Sequence, residues 1–174
     1  MAELIADLAA RLGVPRFVAL CTDLMAGAER EQYVEELRSL TGHDWRPGDD
    51  VFDREIWHDY WLRTWGARGL LHVWDDTATG AVVRGLGDEH WRPAEMCLKV
   101  AAKHEVAGTG DGAAALAGHE LPRVRAQAMR ALAVQGDTEH LAVVRDRLDD
   151  EDAEVRGQAA RALDALERRL DVRR

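Results

Sequence analysis

Apolar residues recur along most of this chain at steps of three and four, the spacing of one helical face. Leu4, Ile5, Leu8 and Leu12 form the first such stripe, closed by Gly13 and Pro15. Val18, Cys21, Leu24 and Met25 form a second, and Tyr33, Leu37 and Leu40 a third that ends at Thr41-Gly42. His43–Asp50, with Pro47-Gly48 inside it, reads as a loop. Further on, Arg123–Val134 places Val124, Ala128, Met129, Ala131 and Leu132 on one side of a helix. Gly136-Asp137-Thr138 breaks that helix, and Asp137 or Thr138 is the expected N-cap of the next, whose stripe is Leu141, Val144 and Leu148. Thr77–Leu86 and Asp111–Ala117 read as shorter helices. The one strand-like run, Leu70–Trp74, falls inside a helical register. The pattern predicts an all-α chain without a sheet.

The same stretch repeats. Val124-Arg125-Ala126-Gln127-Ala128 recurs as Val155-Arg156-Gly157-Gln158-Ala159, and Arg130-Ala131-Leu132 as Arg161-Ala162-Leu163, an offset of 31 residues. The same step backwards reaches Pro93, Cys97, Lys99 and Ala101, then Leu62, Gly66, Arg68 and Leu70, without a gap. This predicts units at 58–88, 89–119 and 120–150, with a truncated unit at 151–174. Each is a helical pair too small to bury its own apolar face, so the units must stack. Small residues, alanine and glycine, at the core positions allow close helix packing. Residues 1–57 do not repeat and are expected to form an N-terminal helical cap.

The string Pro122-Arg123-Val124-Arg125, then Ala128, Ala131-Leu132 and Gly136-Asp137, resembles the bacterial HEAT-like repeat, including repeats related to phycocyanobilin lyase subunits. The resemblance covers about residues 58–166 and is strongest in the last two units. It implies an α-solenoid of helical hairpins and a protein-interaction or scaffold role. It also implies a structural arginine after the valine of the second helix. Arg63, Arg125 and Arg156 match that position, whereas Ala94 departs, so the 89–119 unit is expected to pack irregularly. HEAT-like relatives include bilin-attaching lyases and alkyl-base DNA glycosylases, and an enzymatic or nucleic-acid-acting role of either kind is the alternative reading. Fold alone does not select among these roles.

Charge and composition narrow the field. The net charge is −9 over 174 residues. Residues 1–57 carry a net of −6, from 12 acidic and 6 basic side chains, which discourages long nucleic acid. Cys21 and Cys97 lie far apart and outside any Cys-x-x-Cys motif. Arginine outnumbers lysine 21 to 2, which suggests a bacterial source, and with no basic leader or long apolar run a cytoplasmic protein away from membranes is expected.

Candidate chemistry concentrates on one face. Arg68, Lys99, Arg130 and Arg161 align at the 31-residue step, with Trp61, Arg92 and Arg123 in columns a turn or two earlier and Trp65 among them. His72 and Lys103 follow a turn later. In a solenoid the second helices line the concave side. These ten residues therefore form the expected concave binding site for another protein or an acidic peptide segment, with aromatic anchors at one end. Repetition by descent and plain solubility would leave the same arginines on a surface helix. Five of the six tryptophans, Trp57, Trp61, Trp65, Trp74 and Trp91, fall within 57–91, and sealing a junction would explain them equally. None of the seven histidines forms His-Glu-x-x-His, and neither a metal nor a cofactor site is expected. Gly108-Thr109-Gly110-Asp111-Gly112 lacks the lysine and serine of a phosphate loop and reads as a turn. Both cysteines fall on apolar faces, and Asp75-Asp76 and Asp149-Asp150 fall at helix ends, so no catalytic residue is predicted.

Overall fold

The computed structural model describes residues 1–43 and 53–172. No strand occurs among these residues. They divide into two compact units, Met1–Ala81 and Val82–Arg174. The loop expected at His43–Asp50 lies outside the described residues apart from His43.

The first unit contains α1 (Ala2–Leu12), α2 (Val14–Met25), α3 (Val34–Thr41) and α4 (Tyr60–His72). Gly13, at φ +80°, ends α1 and opens α2, and Pro15 sits in the first turn of α2, where its missing N–H costs nothing. The α1 stripe is Ile5, Leu8 and Ala9, whereas Leu4 is 43% exposed. Phe17, Leu24, Leu37, Leu40, Trp65 and Leu70 complete the core. Helices α2 and α4 approach closely because α4 offers glycine at the contact. A Cβ on Gly66 would lie 2.5 Å from the Cys21 carbonyl oxygen. Helix α4 packs on α1, α2 and α3, so this compact unit runs beyond residue 57, where the repeat pattern had drawn its boundary. The α4 helix stops at His72, and Val73 is extended, so the helical register does not continue to Trp74 as expected.

Helix α5 (Thr79–Gly85) spans the boundary between the units. The second unit continues with α6 (Trp91–His104), α7 (Gly110–Leu116), α8 (Pro122–Gln135), α9 (Leu141–Asp146) and α10 (Ala153–Arg169). Helix α6 packs on α8 and α8 on α10, while α7 lies against α8 and α9 against α10. This is a stack of helical hairpins. Its core is built from small residues, Ala94, Ala101, Ala113, Ala128, Ala131, Ala159 and Ala162, set around Leu98, Met129, Leu132 and Leu166. Each buried leucine contributes about 2 kcal/mol.

Polar atoms keep the 31-residue register where the side chains differ. Asp88 Oδ1 accepts the His90 N–H at 2.9 Å, His119 Nδ1 the Leu121 N–H at 3.0 Å, and Asp150 Oδ1 the Asp152 N–H at 3.0 Å. His90 then caps α6, through the Arg92 N–H, as Asp152 caps α10 through Glu154. Asp137 caps the turn before α9, and His140 Nδ1 accepts the Asp137 N–H in return. At Asp88, His119 and Asp150 an acceptor two residues ahead thus fixes the turn, whether carboxylate or imidazole supplies it.

Arg125 is the buried tie of the stack. Its Nε and Nη2 bind Asp150 at 2.9 and 2.7 Å, and Nη1 holds the carbonyls of His119 and Glu120, both at 3.0 Å. Asp150 is therefore the partner of Arg125 rather than a helix cap, the role its position suggested. Its hydrogen bond to Arg125 holds its carboxyl below the usual aspartate range. One unit earlier the same two places hold Ala94 and His119, so arginine and aspartate are absent together. Helix α6 nonetheless runs unbroken through Ala94, which is buried.

Candidate functional site

In the second unit, hydrogen bonds and ion pairs hold four of the expected basic residues in two sets of contacts. Buried Glu95, on α6, takes Arg123 of α8 through both oxygens at 3.0 Å and Lys99, one turn on, at 3.0 Å. Arg130 of α8 donates to Gln127 at 2.9 Å and to Glu154 of α10 at 2.7 Å. Gln158 donates to that same Glu154 oxygen and accepts from Arg161. One set joins α6 to α8 and the other joins α8 to α10.

Trp91 lies at the start of this surface. The Arg92 guanidinium sits 4.4 Å and the Arg123 guanidinium 4.9 Å from its ring centre, and His90 stacks on it at 5.8 Å. Two cations on one indole fix both guanidiniums against a flat apolar surface. Sequence reasoning counted Trp91 among the tryptophans without placing it in the site. The signal was its position one residue before Arg92, at the first turn of a second-type helix. Lys103 is exposed one turn beyond Lys99. Six cations, Arg92, Lys99, Lys103, Arg123, Arg130 and Arg161, thus share α6, α8 and α10 with the carboxylates Glu95 and Glu154.

The other four expected residues, Trp61, Trp65, Arg68 and His72, lie on α4 in the first unit. Trp65 is 3% exposed and belongs to the core, so it is not a surface anchor, contrary to expectation. Its spacing from Trp61 put both on one stripe, but that stripe turns inward: Trp57, Trp61 and Trp65 contact one another at 5.6 to 6.1 Å. Trp61 keeps a partly open ring, against Tyr60 at 5.4 Å, and His72 is exposed. Arg68 is half-buried, and burial holds its guanidinium below the usual arginine value.

Other constellations close off. Asp111, Glu139 and His140 have ligand atoms within 4.8 Å of one another, the one grouping of three or more such groups among the described residues. His140 Nδ1 accepts the Asp137 N–H at 2.8 Å, so Nε2 carries the hydrogen that faces Asp111 at 3.0 Å. A metal at Nε2 would need that hydrogen on Nδ1, where a backbone donor already points. The cluster is a capping arrangement. The thiols of Cys21 and Cys97 are buried. Burial raises Cys21 far above the ordinary range and, with the charge of Asp88, raises Cys97 to about 12, so neither forms a thiolate nucleophile. Asp75 accepts the Thr77 N–H and hydroxyl, a plain cap. The turn expected at Gly108–Gly112 is only Gly108 and Thr109, with Gly108 at φ +77° and the Thr109 hydroxyl donating to the Val106 carbonyl; Gly110, Asp111 and Gly112 already form the first turn of α7.

No helix among the described residues is long and apolar enough to cross a membrane. Residues 111–171, from α7 to α10, match the family described as HEAT repeats. No curated protein and no solved structure matches the chain significantly.

Proposed function

We propose that this chain is a protein-interaction module that binds an acidic segment of a partner protein across α6, α8 and α10. The observation that carries the reading is the cationic surface of the second unit. Six basic side chains share three adjacent helices of a chain whose net charge is −9, so the surface runs against the overall charge. Glu95 and Glu154 orient the cations and leave the surface net positive. Interleaved carboxylates suit a segment that mixes acidic and neutral residues and repel a continuous polyphosphate. Trp91 holds the Arg92 and Arg123 guanidiniums in place for the segment's acidic side chains. Successive positively charged columns lie about one helix diameter apart, roughly 10 Å, which favours an extended ligand.

The test uses a fluorescein-labelled peptide of alternating glutamate and leucine, titrated into the full chain at low and high salt. Salt-sensitive binding that quenches tryptophan fluorescence is expected. Reversing charge with Lys99→Glu and Arg130→Glu together should abolish it, with a lowered melting temperature because Glu95 and Glu154 lose their partners, and with circular dichroism confirming that the variant is folded. Binding that survives the double reversal but fails when Leu141 to Leu148 are altered would move the interaction to α9 and overturn the assignment.

A further inference from the structure

The first unit carries a cavity of about 210 Å³, which the interaction surface of the second unit does not use. Leu12 of α1 and Leu20 of α2 give it an apolar lining, and Leu20 is 4% exposed. Arg16 and Asp23, both exposed, line it from one face of α2, two helical turns or about 10 Å apart along the axis. Tyr33, just before α3, and Glu36, in the first turn of α3, complete the lining. The Tyr33 hydroxyl donates to Asp23 Oδ2 at 2.9 Å, which fixes that carboxylate. Burial, this bond and the charges of Asp23 and Glu36 raise the phenol above the usual tyrosine value, so it stays a donor and both carboxylates act at its end of the cavity. Neither Arg16 nor Glu36 has an ion-pair partner among the described residues. Opposite charges thus line one cavity without neutralising each other.

We propose that this cavity binds a free basic α-amino acid, lysine or arginine, with the α-carboxylate on Arg16 and the side-chain cation at Asp23 and Glu36. The charges select that class. One guanidinium against two carboxylates leaves the lining net negative, and a basic amino acid carries the complementary net positive charge. The guanidinium fork of Arg16 receives a carboxylate bidentately. The spacing along α2 then requires a ligand with opposite charges at its two ends, joined by a long stem. Glycine or alanine cannot reach both ends. Leu12 and Leu20 cover the methylene stem, as apolar surface does for buried lysine and arginine stems. The volume suits a ligand of amino-acid size, below the range usual for larger small molecules. A lysine within a partner protein would offer the cation without the carboxylate and leave Arg16 unanswered.

The test titrates L-lysine and L-arginine into the full chain by isothermal calorimetry and follows the Arg16 Nε–H resonance in isotopically labelled protein. Saturable binding of at least one of them, with a shift at Arg16, is expected. Norleucine keeps the carboxylate and loses the distal cation. Nα-acetyl-lysine methylamide keeps the cation and loses the carboxylate. Each should bind at least tenfold more weakly, and so should the expected ligand to Arg16→Gln or Asp23→Asn protein, with circular dichroism confirming that the variants are folded. No saturable binding up to about 10 mM overturns the proposal. So does equal affinity for norleucine or for the Arg16→Gln protein. Equal affinity for the capped lysine also overturns it, because the occupant would then be a side chain of a partner protein. If Asp23→Asn does not fold, Glu36→Gln takes its place.

Discussion

Residues 1–81 bury large side chains of varied shape, whereas the hairpin stack that follows buries many alanines and keeps its register through polar atoms. In the first unit Phe17, Leu24, Leu40 and Trp65 fill the space between helices of different lengths. Even the arginine there is particular: Arg30, 1% exposed, binds Asp59 at 2.5 Å, and no repeat relates that pair to another. In the second unit Asp88, His119 and Asp150 make the same backbone contact at 31-residue steps although one of them is a histidine. A stack built this way needs small residues for close approach and one reliable acceptor per turn. It tolerates change elsewhere, which is how Ala94 and His119 replace an arginine–aspartate tie without breaking α6.

The comparison is sharpened first by removing a large core ring. Trp65→Ala should cost about 3–5 kcal/mol, because it removes a large ring that is 3% exposed and leaves a cavity in the core of the first unit. Denaturant unfolding followed by circular dichroism reads the change, and a loss under 1 kcal/mol would put the ring at the surface.

Next is the tie of the second unit. Arg125→Ala strands the buried Asp150 carboxylate and should cost about 3 kcal/mol, whereas Arg156→Ala, at an exposed side chain, should cost about 1 kcal/mol or less. Equal losses would contradict the difference between the buried and the exposed arginine. The pair also predicts an acid response. The folded carboxyl of Asp150 titrates below its unfolded value of about 3.9, so its stabilisation is present above that pH and fades as pH falls through the lower folded value. In Arg125→Ala this part of the acid destabilisation should disappear from thermal melts taken between about pH 5 and pH 2.

A smaller effect tests whether the tie is transferable. Ala94→Arg alone forces a long cation into a buried site, and His119→Asp alone adds a carboxylate without its partner. Together they should recover part of both losses, with a coupling energy of about 1 kcal/mol or more in a double-mutant cycle. Strict additivity would mean that the 89–119 turn cannot adopt the geometry of the next one. The smallest effect belongs to His140→Ala, which removes one half of a reciprocal cap and should cost about 1 kcal/mol, measured by thermal unfolding at neutral pH.

The sequence by itself determined the helices and the repeat. Steps of three and four, Gly42 at φ +78° after α3, and the Asp137 cap are local matters, settled by backbone geometry and nearby hydrogen bonds. The 31-residue offset also pointed to the basic columns on α6, α8 and α10, because equivalent positions in stacked helices share an environment. Tertiary structure decided what those positions touch. Trp61 and Trp65 share one spacing and one chemistry, yet Trp65 alone is sealed in the core, since only the packing of α4 says which edge of a stripe turns inward. Glu95 could not be recognised as the orienting partner of Arg123, because their bond joins residues 28 apart along the chain. Arg125 and Arg156 read as the same residue in the repeat. Only the packing makes Arg125 a buried structural tie on Asp150, while Arg156 is exposed and holds backbone carbonyls alone.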